Sequence, residues 1–269
     1  RTEMEFYLCP IASGSSGNCT YLHADEQRLL IDVGVSGKRV TEGLTEIDID
    51  PTTLKGILIT HEHSDHIKGV GIISRKYDLP IYATKPTWER MESAQMLGKV
   101  KEHNQRIISK DEPIYFGELM VTPYSIYHDS VDPVGYVFEY MGKKMVLATD
   151  MGKVDRKIVE RFYNADGILL EFNHDVNMVE VGSYPFPLKQ RILGDYGHLN
   201  NELAAKVLAH IYHPNLKWAI LGHLSNENNL PDLAYLSAKN ALLEKQIEIG
   251  KDLQVTVANR YNLTPIHRV

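Results

Sequence analysis

A chain of 269 residues that is 43% hydrophobic can bury a substantial core, as one α/β unit or as two smaller ones. Its 29 basic and 35 acidic side chains give a formal charge of −6. That balance excludes a generic nucleic-acid-coating surface, yet leaves room for a nucleic-acid substrate held through bound cations. Cys9 and Cys19 are too few for a disulfide framework, and no apolar run approaches the roughly 18 residues that span a bilayer. Glu3 and Glu5 interrupt the apolar start, so no leader is read there, and the expectation is a cytoplasmic protein without a membrane partner.

The first half reads as short strands separated by turns. Phe6–Pro10 leads into Ala12-Ser-Gly-Ser-Ser-Gly-Asn18, a turn signal between two β-prone runs. Cys19–His23 and Arg28–Val33 form a hairpin pair around Asp25-Glu26-Gln27, and Lys38–Glu46 has helical spacing. Gly56-Ile-Leu-Ile-Thr60 is a continuous apolar run of strand length, suited to a sheet covered on both faces. Ile67–Tyr77 is predicted helical, Pro80–Ala83 a strand, Pro86–Met96 a helix, and strands follow around Ile114–Val121. Tyr136–Tyr140 and Lys144–Ala148 flank a Met141-Gly142 turn, and Ala165–Phe172 is another buried strand. In the last third, Asn201–Ile211 sets Leu203, Val207, Leu208 and Ile211 on one helical face. Trp218–Leu221 is a short strand, Asp232–Lys245 an amphipathic helix, and Gln254–Ala258 a closing strand. With no linker, repeat or long charge run, one domain spanning 1–269 is expected, built of two sheets covered by helices.

His61-Glu-His-Ser-Asp-His66 places three histidines and an aspartate in six residues, straight after a buried strand. His61 and His63, two apart on an extended segment, point the same way. Asp65 and His66 follow at the turn into a helix and reach a second point nearby. Imidazole and carboxylate together suit zinc, manganese or iron. These four residues do not complete a two-metal site, and three strand ends offer the remainder. His128 follows the strand-like Val121–Ile126, Asp150 ends Met145-Val-Leu-Ala-Thr-Asp150 before a glycine turn, and His223 ends Trp218-Ala-Ile-Leu-Gly-His223.

Thr60-His-Glu-His-Ser-Asp-His66, with His128, Asp150 and His223 at later motifs, resembles the metallo-β-lactamase superfamily over nearly the whole chain. The resemblance implies an α/β fold, an αββα sandwich with two divalent ions at one edge of its sheets. By analogy His61, His63 and His128 bind one ion, Asp65, His66 and His223 the other, and Asp150 bridges them. Within that superfamily the chain is similar to the bacterial WalJ/YycJ group. The shared segments are Ala12–Asn18, His61–Gly69, Glu171-Phe-Asn-His-Asp175, Arg191–Glu202 and His223-Leu-Ser-Asn-Glu-Asn-Asn229. Proteins of that group are regarded as Mn²⁺-dependent exonucleases that digest double-stranded DNA from the 5′ end, so duplex DNA is the implied substrate. Asn200 stands where the group more often has serine. The short span from Asp150 to His223 leaves no room for the insertion of the β-CASP nucleases, and no helical domain like that of glyoxalase II is visible.

Two ions that share a water can lower its pKa and aim it at phosphorus, with Asp65 orienting or deprotonating it. His174 and His198 are the candidates for protonating the leaving group. Ser13, Ser15 and Asn18 are candidate phosphate binders through a glycine-rich loop, and Lys189 and Arg191 candidate contacts to a DNA backbone. Cys9 and Cys19 are expected buried and inert, Trp88 and Trp218 in or near the core. The competing readings are a thioester or lactone hydrolase using the same ions, and a binding or sensory protein without turnover. The identity of the metal, the polarity of cleavage and the oligomeric state stay open.

Overall fold

The computed structural model describes residues 3–269. The first half of the chain runs β1 (Phe6–Ala12), β2 (Cys19–Ala24), β3 (Gln27–Ile31), α1 (Gly37–Glu46), β4 (Gly56–Leu58), α2 (Ser64–Ile67), α3 (Val70–Tyr77), β5 (Ile81–Thr84), α4 (Lys85–Ser93) and β6 (Gln105–Ile108). The second half runs β7 (Ile114–Phe116), β8 (Leu119–Ser125), β9 (Val134–Tyr140), β10 (Lys143–Ala148), α5 (Arg156–Phe162), β11 (Gly167–Glu171), α6 (Val176–Val181), α7 (Phe186–Leu193), α8 (Asn201–Ile211), β12 (Trp218–Gly222), α9 (Pro231–Glu244), β13 (Gln254–Val257) and β14 (His267–Arg268).

These strands make two seven-stranded mixed sheets, ordered β14-β1-β2-β3-β4-β5-β6 and β13-β12-β11-β10-β9-β8-β7. Hairpins build the antiparallel part of each, as where Ala24 pairs with Gln27 across a two-residue turn at Asp25-Glu26. Crossovers through helices build the parallel parts, β3-β4-β5-β6 and β10-β11-β12-β13. The last strand, β14, returns to the first sheet and pairs Arg268 with Tyr7.

Strands with apolar residues on both faces demand cover on both faces, which sets the layering. Met145 and Leu147 of β10 point into the core between the sheets with Phe6, Leu8, Phe138 and Trp218, while Val146 and Ala148 face the helices outside. Tyr7, Cys9 and Ile11 of β1 likewise face α1, α3 and α4 on the other outer side. The result is the αββα sandwich expected from the sequence. Truncating one central anchor such as Phe138, fully buried, would cost roughly 3–5 kcal/mol.

Two expected elements differ instructively. The helix expected over Ile67–Tyr77 is split at Lys68-Gly69, where the Gly69 N–H leaves the helix ladder to reach the Val33 carbonyl at 2.8 Å. A Cβ at Gly69 would lie 2.1 Å from the Val35 carbonyl oxygen, so only glycine permits this approach. In α8, capped by Asn200 accepting from the Leu203 N–H, Leu203 itself is exposed and Ala204 and Ala205 face inward. Small residues let α8 approach Ala234 and Ala238 of α9 closely, so side-chain size overrode the apolar periodicity. The short α5, α6 and α7 and the edge strands β6 and β14 carry too little pattern to be read from sequence. No helix among the described residues is long and apolar enough to cross a membrane.

Candidate metal centre

The two sheets bring the carboxyl ends of their parallel strands to one rim, where α/β architectures concentrate function. After β4, Ile59 and Thr60 run out of the sheet to His61 and His63, and the first turn of α2 supplies Asp65 and His66. The second sheet contributes one group per strand: His128 beyond β8, Asp150 beyond β10, Glu171 at the last position of β11 and His223 directly after β12. Asp150 and His223 both have left-handed backbones, φ 59° and 56°, a strained turn of the kind functional sites retain.

His61, His63 and His128 offer ligand atoms within 4.8 Å of one another, and so do Asp65, His66 and His223. Asp150 lies between the two groups. Its Oδ2 is 2.8 Å from His66 Nε2, and its Oδ1 is 3.2 Å from His223 Nε2 and 3.7 Å from His128 Nε2. Glu171 and His198 extend the cluster on the second-sheet side, with His198 Nδ1 3.0 Å from Glu171 Oε2 and 3.5 Å from Asp150 Oδ1.

What surrounds these rings fixes which nitrogen each can offer. Asp32 accepts from the Thr60 N–H and hydroxyl, and its Oδ2 sits 2.7 Å from His66 Nδ1. With its proton given to Asp32, the Thr60 oxygen accepts from His61 Nδ1 at 2.9 Å. His128 Nδ1 donates to the Gly197 carbonyl, and His223 Nδ1 faces Glu171 Oε2 at 3.2 Å. Four imidazoles thus spend Nδ1 outward and keep Nε2 for the centre. His63 is turned the other way, its Nε2 donating to the Asp129 carbonyl, so Nδ1 is the atom it offers. The Nε2 atoms of His61, His128 and His223 are buried without a hydrogen bond. Buried imidazole nitrogens gathered beside carboxylates, those of His61 and His128 left as bare acceptors, fit divalent cations.

Electrostatics say the same. Burial penalises charge on Asp150, but His223 and His66 outweigh it and hold the carboxyl well below the usual range. Burial likewise opposes charge on His66, yet Asp150, Asp65 and Asp32 lift it well above its ordinary value. His223 is pushed up to about 10 by Asp150, Asp65 and Glu171 against its burial. His61, buried and facing His66, is driven well below its ordinary value. Without metal, protons on His66 and His223 balance the carboxylates, so binding a divalent cation there must release protons.

The comparison with known proteins agrees with this geometry. A beta-lactamase superfamily domain matches residues 27–223. The chain is 41% identical over 268 residues to exodeoxyribonuclease WalJ of Streptococcus pneumoniae serotype 2 (strain D39 / NCTC 7466), covering 100% of both chains. It is 38% identical over 252 residues to exodeoxyribonuclease YycJ of Bacillus anthracis, covering 94% of this chain and 95% of that one. The chain belongs to the beta-lactamase superfamily, in its WalJ and YycJ group. The metallo-beta-lactamase fold protein YhfI of Bacillus subtilis superposes with a TM-score of 0.72 at 17% identity, covering 97% of this chain and 99% of that one, which shows the shared fold.

For a member of this superfamily, the sequence-predicted residues divide clearly by position. The seven candidate ligands converge, and His198, with its side chain 15% exposed, stands beside them. His174 is buried with its Nδ1 toward Asn173 Oδ1, and burial pulls its pKa down to about 4. The Ser13 hydroxyl is buried and accepts from the His223 N–H at 2.9 Å, which ties its loop to the site. The Asn18 carboxamide closes its own loop on Gly14, while its Nδ2 reaches 3.4 Å from Asp65 Oδ2. The Ser15 hydroxyl is 3.2 Å from Arg260 Nη1. The Lys189 Nζ donates to the Glu180 carbonyl. Arg191 pairs with Asp129, which itself adjoins His63 and His128. Asp32, Glu171 and Arg260 went unassigned in the sequence. An acid just past a strand, or at its last position, was a signal available for the first two.

Proposed function

We infer that the protein is a metal-dependent exodeoxyribonuclease that digests double-stranded DNA from the 5′ end. The observation that carries this reading is full-length similarity to the WalJ and YycJ exodeoxyribonucleases, joined to a rim of buried, unpartnered imidazole nitrogens. His61, His63 and His128 would hold one divalent ion, Asp65, His66 and His223 a second, with Asp150 bridging; manganese, zinc or iron suits this donor set. When bound, such ions supply Lewis acidity toward phosphorus and charge neutralisation in the transition state.

The chain's own residues do the rest. Asp65, held by Asn18 and His223, is the carboxylate free to orient an attacking water. Glu171 is fully buried, and although burial opposes its charge, His198 and His223 hold it at about 2, so it is an anion throughout the working range. It fixes the proton of His198 on Nδ1, which leaves Nε2 to exchange a proton with the leaving oxygen. His198 suits that role better than His174, which is buried away from solvent. Arg191, anchored by Asp129 near His63, is positioned to meet a strand entering the rim.

The test is a linear duplex with and without a 5′-phosphate, a covalently closed circle and a thioester, each assayed with Mn²⁺ or Zn²⁺. Digestion of the linear duplexes alone is expected. Equal cutting of all three DNAs would make the enzyme an endonuclease. Thioester hydrolysis without DNA cleavage would restore the small-molecule reading.

A further inference from the structure

Beside the metal centre, on the first-sheet side, lies a groove whose cavity measures 520 Å³. Its walls carry Arg39, Lys68 and Arg260 and no acidic side chain. In a chain of net charge −6, three cations meeting without an acid is not an average stretch of surface. Among the described residues none of the three forms an ion pair, whereas Arg191 on the opposite flank is neutralised by Asp129. Arg260 instead uses neutral partners: its Nη1 donates to Ser15 Oγ at 3.2 Å, and its Nη2 to the Leu224 carbonyl. Lys68 Nζ reaches the Ser16 carbonyl at 3.4 Å, and Arg39 Nη2 the Ile11 carbonyl at 3.3 Å. Each cation is therefore positioned by carbonyls and hydroxyls while its charge stays uncompensated, as an anion-binding surface requires.

The groove shares its wall segments with the centre. Ser16 and Gly17 in its wall precede Asn18, whose Nδ2 lies 3.4 Å from both Asp65 Oδ2 and His66 Nε2, and Lys68 follows His66 by two residues. Arg260 and Tyr261 also line a neighbouring cavity of 600 Å³, which Ser13 and Leu224 join to the loop after β12. The two cavities meet at Arg260. A row of cations beside a phosphodiester-cleaving centre matches the spacing problem of a polynucleotide, whose successive phosphates must be held as the chain advances.

We propose that this groove carries the backbone phosphates of the DNA strand beside the metal centre, with Arg260, mounted on the Ser13–Asn18 loop, as its principal phosphate contact. The assignment rests on the exonuclease reading above. It gives that loop a purpose its own side chains do not fill, since the Ser13 hydroxyl and the Asn18 carboxamide are spent within the site. Arg260 is a binding residue that acts on DNA alignment, not on the reacting atoms.

The test is steady-state digestion of linear duplex DNA by the metal-loaded enzyme across a salt series, for wild type, Arg260→Ala, Lys68→Ala, Arg39→Ala and a Lys206→Ala control. Lys206 lies on α8 in the opposite outer layer, paired with Glu202. Each groove substitution should raise KM more than it lowers kcat and flatten the salt dependence of log(kcat/KM) by about one unit. Lys206→Ala should do neither. Arg260→Ala also removes the tie to Leu224, so thermal unfolding accompanies every variant, and the exposed Lys68, at 3.4 Å from the Ser16 carbonyl, supplies a substitution that perturbs the loop less. Wild-type digestion with unchanged salt slopes in Lys68→Ala and in folded Arg260→Ala would overturn the groove while leaving the nuclease standing. A wild type that neither binds nor digests duplex DNA would overturn both.

Discussion

The two sheets furnish the same rim by different means. On the first sheet the candidate ligands are held by backbone: Asn18 N–H and Val33 N–H donate to the carbonyls of Asp65 and His66, and Gly34 N–H to that of Asn18. A single carboxylate, Asp32, then aligns Thr60, His61 and His66. On the second sheet the candidate ligands sit on separate strand ends, and one side chain links several of their segments. Glu171 accepts from Met151 N–H and Leu199 N–H through Oε1 and faces His198 and His223 through Oε2. The difference teaches that the first half of the centre is braced mainly by backbone hydrogen bonds between its loops, while in the second one buried anion joins two imidazoles and two backbone N–H groups.

Asp150, where both halves meet, should show the largest effect. Asp150→Ala is expected to lose bound metal at both positions and with it DNA digestion, measured by elemental analysis and nuclease assay; full occupancy with wild-type turnover would remove Asp150 from the centre.

Gly34→Ala attacks the backbone bracing of the first sheet. A Cβ there would lie 1.6 Å from the Asp65 carbonyl oxygen, so the Asp65 turn must move. Loss of most activity is expected, and a folded variant with normal metal affinity would mean that the close approach is not needed.

Glu171→Gln and Asp32→Asn compare the two supports directly. An amide cannot accept from two backbone N–H groups and two imidazoles at once, so Glu171→Gln should loosen His198 and His223 and lower activity roughly 100-fold. Asp32→Asn, with Gly34 and Asn18 still bracing the loop, should cost nearer 10-fold. Equal losses in metal titration and in turnover would erase the distinction between the halves.

The smallest effect is expected at His174. Its pKa is lowered to about 4 by burial, so on acidification the unfolded chain takes up the proton first. The stability this neutral imidazole contributes is present above about pH 6.5 and is lost as the pH falls toward 4. His174→Gln should therefore narrow its stability gap to wild type over that interval, as chemical denaturation would record. A gap independent of pH would mean that the imidazole is not buried neutral.

The sequence alone determined much of this protein. H-x-H-x-D-H after an apolar run, and single ionisable residues at the ends of three later strands, marked the candidate ligands that converge, because metal chemistry constrains residue type at fixed places along the chain. Apolar runs and turns likewise predicted most strands and the longer helices, since those patterns are local. Tertiary structure decided which charges are spent and which remain free. The fold sets the Ser13 hydroxyl under the His223 N–H and pairs Arg191 with Asp129, and neither relation is visible in a local pattern. Arg260 carried no motif, yet the fold returns it across 245 positions to Ser15. Asp32 and Glu171 matter because each is buried among imidazoles from distant segments. Pairing and desolvation are relations between residues far apart in the chain, and only packing the two sheets face to face brings them into being.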